Sequence, residues 1–451
     1  MAGVLDRAGS TPEGGILRCK YPLLNGPGFR LNGHQVAWQK WRFHVRPDQR
    51  VGMIISAVTY GEGDQARPIL YQGHLSEIFV PYMDPSFAWY ARNFLDAGEF
   101  SFGGLSKPLI PKQDCPEHAI YFDALVAGDR GRPHTVPKTI CVFERVTGDM
   151  VWRHWDEDGG SKSRAKRDLV VRTAVVIGNY DYVFDWIFQQ DGAIRVAVGA
   201  TGIAETKMVT PKTASMNTGP AGGTHGSNGQ ETPTTTEDAD AYGHFVDRQI
   251  VAVNHDHYFN FRLDLDVDGI ANSLLIDRLK TQILPEGHPR RSVWVREPML
   301  ARQEADAQLN ISLDRPALWR VISDSQTNHV GYPTSYQLMP GKNTNTLLSP
   351  DDYPRRRAGF IDHHLWVTPY RVNERYAAGD YPTLSKPEQG LPAWSSENRS
   401  IENTDIVLWH TIGMHHLVRA EDWPVTPMLW HSFELRPFDF FDRNPALDLP
   451  K

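Results

Sequence analysis

Cysteine is scarce in this chain: Cys19, Cys115 and Cys141 are the only three among 451 residues. Without a visible secretory signal, such a count reads first as buried or idle thiols and not as a disulfide framework. No apolar run approaches the length of a membrane span, and the first residues, Met1 to Arg7, lack the apolar core of a signal peptide. A cytoplasmic location is the expectation that follows. An excess of positive charge is missing as well. Lys and Arg number 47 against 54 Asp and Glu, a formal charge of −7, so electrostatics give no reason to expect nucleic acid or an anionic membrane as partner. A phosphate loop, a dinucleotide fingerprint, a Gly-x-Ser-x-Gly elbow and internal repeats are all absent from the sequence.

Aromatic residues are abundant, with 13 Trp, 16 Tyr and 19 Phe, and 37 Gly and 32 Pro punctuate the chain densely. That profile favours strands and long loops over helices. Residues 1–30 read as an arm or tail, and from Leu31 onward the pattern is strand-like. Residues 37–58 predict a hairpin around a turn at 46–50, and residues 69–80 predict a further strand pair. Asp84-Pro85 predicts the start of a short helix ending near Phe94, with Asp96 in irregular backbone just beyond it. Residues 170–188 predict one long strand with Tyr180, Tyr182, Phe184, Trp186 and Phe188 on a common face. Thr213 to Gly243 has almost nothing apolar and reads as a flexible surface insertion. The strand pattern resumes from Phe245 to Val267, with His255 and His257 on the apolar face and Asp264 and Asp266 on the wet one.

His-x-His is a weak signal by itself, since 18 histidines in this chain give roughly 0.7 chance occurrences. Alternate strand positions nonetheless put His255 and His257 about 6–7 Å apart, close enough to share an ion, and imidazoles suit copper. A third histidine is available far downstream. His416 competes there with His415, which would face the opposite way, and with His410.

These residues carry a resemblance. Asn179-Tyr180-Asp181 at the end of a β-branched run, followed by His255-x-His257 and a distant His416, resembles the copper amine oxidase family in kind and in order. Similarity runs from about Leu31 to the C-terminus, through Val142-Phe-Glu-Arg145, Leu365-Trp-Val-Thr-Pro-Tyr370 and Phe440-Phe-Asp-Arg-Asn-Pro445, and is nearest the tyramine-oxidase branch. The resemblance implies a large antiparallel β-sandwich over residues 31–451, a homodimer, and oxidation of a primary amine by dioxygen. It implies copper on His255, His257 and His416, and Tyr180 converted to topaquinone. By the same resemblance Asp96 is the catalytic base, Tyr82 hydrogen-bonds the quinone, Asn179 flanks it, and Phe94 with Met83 gates the channel. Asp264, Leu265, Asp266, Asp405 and Ile406 match a second, calcium-like cation site. Cys115 and Cys141 match a disulfide, which would argue for an oxidising compartment. The small α/β domains that usually precede the sandwich are not found upstream. Two rival readings, a cupin-like mononuclear metal oxygenase on His255 and His257 and a non-catalytic copper-binding sandwich, are weaker. No glutamate follows the pair at the short spacing an oxygenase needs.

Overall fold

A computed structural model describes residues 28–449, apart from 129, 211–213, 215–238 and 384–388. Two large antiparallel sheets, of nine and ten strands, make up most of it, with a three-stranded sheet beside them. The nine-stranded sheet runs through Arg67–Pro81, His255–Leu265, Ile406–His416 and Leu365–Pro369. In the ten-stranded sheet Thr426–Phe438, Ile194–Gly202, Tyr180–Gln189 and Gly160–Ile177 are successive neighbours. Period two gives each sheet an aromatic inner face, and these faces meet. Phe259, Phe261 and Leu263 from one and Tyr182, Phe184 and Trp186 from the other share a single core. The Phe184 ring lies 6.1 Å from that of Phe259 and 6.3 Å from that of Phe261. Each fully buried side chain of this size stabilises the sandwich by roughly 1.5–3 kcal/mol. The expected mainly-β sandwich is the fold observed. Among the described residues no helix is long and apolar enough to cross a membrane. Cys19, most of the arm and most of the 213–243 insertion lie outside the described residues.

Several local expectations are corrected. Residues 37–58 form two hairpins, because Gln39 adopts a left-handed φ of 49° and adds a turn between Gln35–Trp38 and Trp41–Asp48. Residues 69–80 lie in one unbroken strand, Arg67–Pro81. Gly73 within it marks a close approach and not a turn: a Cβ there would come within 2.4 Å of the Trp186 ring. Asp84-Pro85 starts turns and not a helix: Asp84 Oδ1 makes the capping bond to the Ser86 backbone at 2.9 Å and Oδ2 accepts from Lys207 Nζ at 2.6 Å, but the backbone bonds that follow, Trp89 and Tyr90 to the Ser86 carbonyl and Arg92 to that of Trp89, close separate turns. Asn93–Leu95 then pairs with Phe79–Pro81 as a short strand, and Asp96 opens the helix Asp96–Phe100.

Residues 170–188 are a hairpin, with Gly178 (φ 57°) and Asn179 as its two-residue loop and Tyr180 opposite Ile177. Such a loop changes the parity of the inward face. Because Val175, Val176 and Ile177 are all apolar, the change leaves no mark in the pattern. The stretch from Phe245 to Val253 belongs to the small sheet, and only His255–Leu265 joins the large one. Its supposed wet face is buried: Asn260, Arg262 and Asp264 are each at most 3% exposed. A second apolar cluster containing Tyr258, Phe360, Trp366 and Trp409 accounts for this.

Candidate metal and tyrosine site

Antiparallel pairing of His255–Leu265 with Ile406–His416 sets His255 directly opposite His416, and period two places His257 on the same face. From the other sheet, Tyr180 and Tyr182 reach across. The Tyr180 hydroxyl lies 2.8 Å from His255 Nε2, and the Tyr182 hydroxyl 2.9 Å from His257 Nδ1. Gly202 lets this happen at close quarters, since a Cβ there would lie 2.4 Å from the Asn179 carbonyl oxygen. Asn179 itself is exposed in the turn.

The hydrogen bonds fix which nitrogens face inward. His255 Nδ1–H donates to the Val253 carbonyl at 2.9 Å, which leaves a lone pair on Nε2. His416 Nε2–H donates to Asp422 Oδ2 at 3.3 Å, which leaves a lone pair on Nδ1. These two lone pairs sit only 3.1 Å apart. Among the described residues, His257 Nε2 is buried without a partner. All three rings are held neutral: burial depresses their pKa values, to about 3 for His255, and the neighbouring His416 lowers His255 further. One ligand atom from each lies within 4.8 Å of the others. Facing lone pairs and an orphaned nitrogen are unfavourable alone and are what a borderline-soft cation would satisfy. Val253, Tyr182 and Asp422 orient the rings from behind, as outer partners of metal-bound imidazoles do. The donor set therefore fits copper.

The competing histidines stand elsewhere. His415 faces away, with Nδ1 2.8 Å from Asp256 Oδ1 and Nε2 2.7 Å from Thr344 Oγ1. His410 Nδ1 lies 2.8 Å from the His364 carbonyl oxygen, well along the strand.

Tyr82 makes an isolated bridge to His255, and their rings are 5.0 Å apart. Met83 follows it, its backbone donating to the Asn254 carbonyl at 2.9 Å. The half-buried Phe94 ring stands 6.3 Å from Tyr82. Asp96 is 4% exposed. Burial, and then the Glu77 carboxylate, push its pKa up to about 8. Burial also raises the Tyr180 and Tyr82 hydroxyls, with further pushes from Glu205 on Tyr180 and from Tyr180 on Tyr82.

At the other end of the same strand pair, carboxylate oxygens of Asp264, Asp266 and Asp405 lie within 4.8 Å of one another. Leu265 and Ile406 are their chain neighbours at the ends of the two strands. Oδ1 of Asp264 and of Asp405 are buried without partners. Cys115 and Cys141 are joined in a disulfide.

Sequence reasoning passed over Tyr182, Asp422, Glu205 and Glu77. The first had a signal, being two residues from Tyr180 on the same face. Glu77 had one too, as a lone acid in the run Leu75 to Val80.

A sandwich that sets a buried tyrosine against three neutral imidazoles defines a class of metal and tyrosine-derived-cofactor sites. The comparisons make the class specific. Residues 30–451 match the family described as copper amine oxidase, enzyme domain, and the chain belongs to that family. It is 41% identical over 434 residues to amine oxidase [copper-containing] gamma 2 of Arabidopsis thaliana, covering 94% of this chain and 61% of the relative. It is 39% identical to a primary amine oxidase of Pisum sativum over 429 residues, covering 94% and 60% respectively. Among solved structures, a copper-containing benzylamine oxidase from Hansenula polymorpha superposes with a TM-score of 0.83 at 29% identity, covering 95% of this chain and 63% of that one. The chain thus spans about three fifths of the length of these relatives. Copper and topaquinone are the cofactors of the family, and His255, His257 and His416 form a group that fits the copper.

Proposed function

We propose that this chain is the enzyme domain of a primary-amine oxidase. The reaction takes a primary amine, dioxygen and water to an aldehyde, ammonia and hydrogen peroxide. The observation that carries this reading is the Tyr180 hydroxyl 2.8 Å from His255 Nε2, beside the three inward-facing imidazole nitrogens. We assign copper to His255, His257 and His416, and the quinone to Tyr180. When bound, these groups supply the electron sink for the amine and the route from it to dioxygen. The protein's part is positional and acid–base. Asp96 takes the proton from the carbon α to the amine nitrogen, and a pKa pushed up to about 8 makes it a strong enough base to keep that proton near neutral pH. Tyr82 bonds the Tyr180 hydroxyl, Asn179 flanks Tyr180 in the chain, and Phe94 and Met83 gate the approach.

Residues 31–451 act as one catalytic unit, the partner is a second copy, and Asp264, Asp266 and Asp405 with the carbonyls of Leu265 and Ile406 hold a hard cation such as calcium. The test is colour. Aerobic copper addition to the metal-free chain should generate a pink chromophore that reacts with phenylhydrazine, whereas Tyr180→Phe should bind copper and remain colourless. A colourless wild-type holoprotein would overturn the assignment.

The preferred substrate is an aromatic or arylalkyl monoamine. Tyr82, Phe94 and Phe100 line up with ring separations of 6.3 and 6.1 Å, a surface on which an aryl group gains burial. Desolvating the second ammonium of a short diamine would need a free carboxylate, and Glu205, the nearby acid, is paired with Arg92. The kcat/KM for phenethylamine should exceed that for putrescine; the reverse ratio would mean that Glu205 is released to the substrate.

A further inference from the structure

Glu77 is a fully buried acid in the middle of Arg67–Pro81 that the reaction as described leaves unused. Its Oε1 accepts three backbone N–H groups: Ile78 at 3.1 Å, Ala97 at 2.9 Å and Gly98 at 3.1 Å. The last two are the residues immediately after Asp96. Its Oε2 is buried with no partner among the described residues and lies against Gly98, where a Cβ would stand 2.7 Å from that oxygen and 2.3 Å from Pro382 Cγ. The backbone after Asp96 is thus bonded directly to the Glu77 carboxyl.

The rest of that segment is anchored separately. Leu95 N donates to Glu99 Oε2 at 2.8 Å, and Arg357 pairs with Glu99 while its Nη1 donates to the Asn93 carbonyl at 2.6 Å. Among the described residues, Glu77 bonds the backbone of residues 97 and 98 and also brings a charge to Asp96.

We propose that Glu77 is a positioning residue for Asp96, fixing that carboxyl through the backbone of residues 97 and 98 and facing it with a second buried carboxylate. The inference rests on Asp96 being the base. The groups around the pair are few. Tyr82 and Tyr182 face Asp96, while Arg50 and Arg357 face Glu77. Burial lifts Glu77 to about 7 despite Arg50 and its three N–H donors, and lifts Asp96, next to Glu77, to about 8. Burial is the largest cause for both, the Glu77 carboxylate raises Asp96 further, and the two carboxyls titrate as a coupled pair. A carboxyl so placed holds the proton taken from substrate until the reaction needs it elsewhere.

Infrared titration of the protonated-carboxyl band in the full chain tests this without reference to turnover. Differences between each variant and wild type cancel the Asp264 and Asp266 contributions. Wild type should show two coupled carboxyl ionisations and Asp96→Asn only one. Glu77→Gln, nearly isosteric, should also show only one, about one pH unit below the higher of the wild-type pair. The acidic limb of amine-driven anaerobic bleaching at saturating substrate should move down with it. A Glu77→Gln protein whose remaining carboxyl titrates where wild type does overturns the proposal. So does an Asp96→Asn protein whose remaining carboxyl titrates at the higher wild-type value, a result that stands even if Glu77→Gln does not fold. If Asp96→Asn instead bleaches at the wild-type rate, the assignment of the base fails, and the infrared result still decides whether the two carboxyls are coupled.

Discussion

The strands His255–Leu265 and Ile406–His416 carry a polar cluster at each end, and the two clusters are buried in opposite ways. At one end His255, His257 and His416 face the sandwich core as neutral rings, each oriented by a hydrogen bond from behind. At the other end Asp264, Asp266 and Asp405 gather carboxylates whose pKa values are all raised by burial; Arg262 pulls Asp264 and Asp405 back, and neighbouring carboxylates push Asp264 and Asp266 further up. A buried imidazole escapes the cost of charge by staying neutral and keeps its lone pair; a buried carboxylate must hold a proton or find a cation. One strand pair thus offers a preorganised site for a borderline-soft metal and a strained site for a hard one.

The sharpest way to break this comparison is at the histidines. Alanine at His255, His257 or His416 should abolish copper-dependent colour development, because two imidazoles retain neither the affinity nor the geometry of three. His415→Ala should develop colour normally, since that ring faces Asp256 and Thr344. Normal maturation of His416→Ala alongside failure of His415→Ala would reverse the assignment of faces.

Asp96 offers a third kind of burial, an acid lifted by its surroundings with another acid beside it and no cation cluster. Asp96→Asn should still react with phenylhydrazine but lose about 10²–10⁴ in amine oxidation, the usual worth of a positioned base. Comparing amines with and without deuterium on the α-carbon locates the loss at proton removal. A near-wild-type rate would assign the base to another group.

How much of this was legible beforehand follows from parity. His255, His257 and Tyr180 sit in alternating stretches with apolar companions, so their faces could be read directly and the structure brings them together. Asp264 and Asp266 were read as facing water because strand alternation shows that a residue points away from one core, not whether a second core waits on the other side. The covering cluster with Phe360 and Trp366 comes from a segment about 100 residues downstream in sequence. The Gly178-Asn179 turn was hidden by apolar residues on both parities. Asp84 makes the local capping bond to Ser86, but it is also tied to Lys207, 123 residues away, and the segment after it breaks into turns; that long-range tie leaves no local trace. Glu77 bonds to residues about 20 positions away, so its role became visible only once the turn at Asp96 was in place.

The gentlest test sharpens the comparison at the acidic end. Asp264 is pushed up to about 7 and Asp266 to about 6, against about 3.9 in an unfolded chain. Where the folded pKa is raised, the folded state keeps protons that the unfolded state releases. Stability is therefore lost as pH rises from about 4 through 7, and the loss is complete above the folded values. Buried histidines with depressed pKa values act in the opposite sense below about 6.5, so the pH dependence of Tm in calcium-free buffer mixes both effects. The increment that calcium adds to Tm does not, because it reports only groups that bind the ion. At pH 5 protons compete for the Asp264 and Asp266 oxygens and the increment should be small. At pH 8 Asp264 and Asp266 are ionised and calcium relieves the repulsion in the cluster, so the increment should grow to several degrees. Asp405→Asn removes one charge and one partnerless oxygen, and should shrink the pH 8 increment while leaving copper-dependent colour intact. An increment equal at both pH values, or unchanged by Asp405→Asn, would show that calcium binds elsewhere and that the acidic end is held by protons alone.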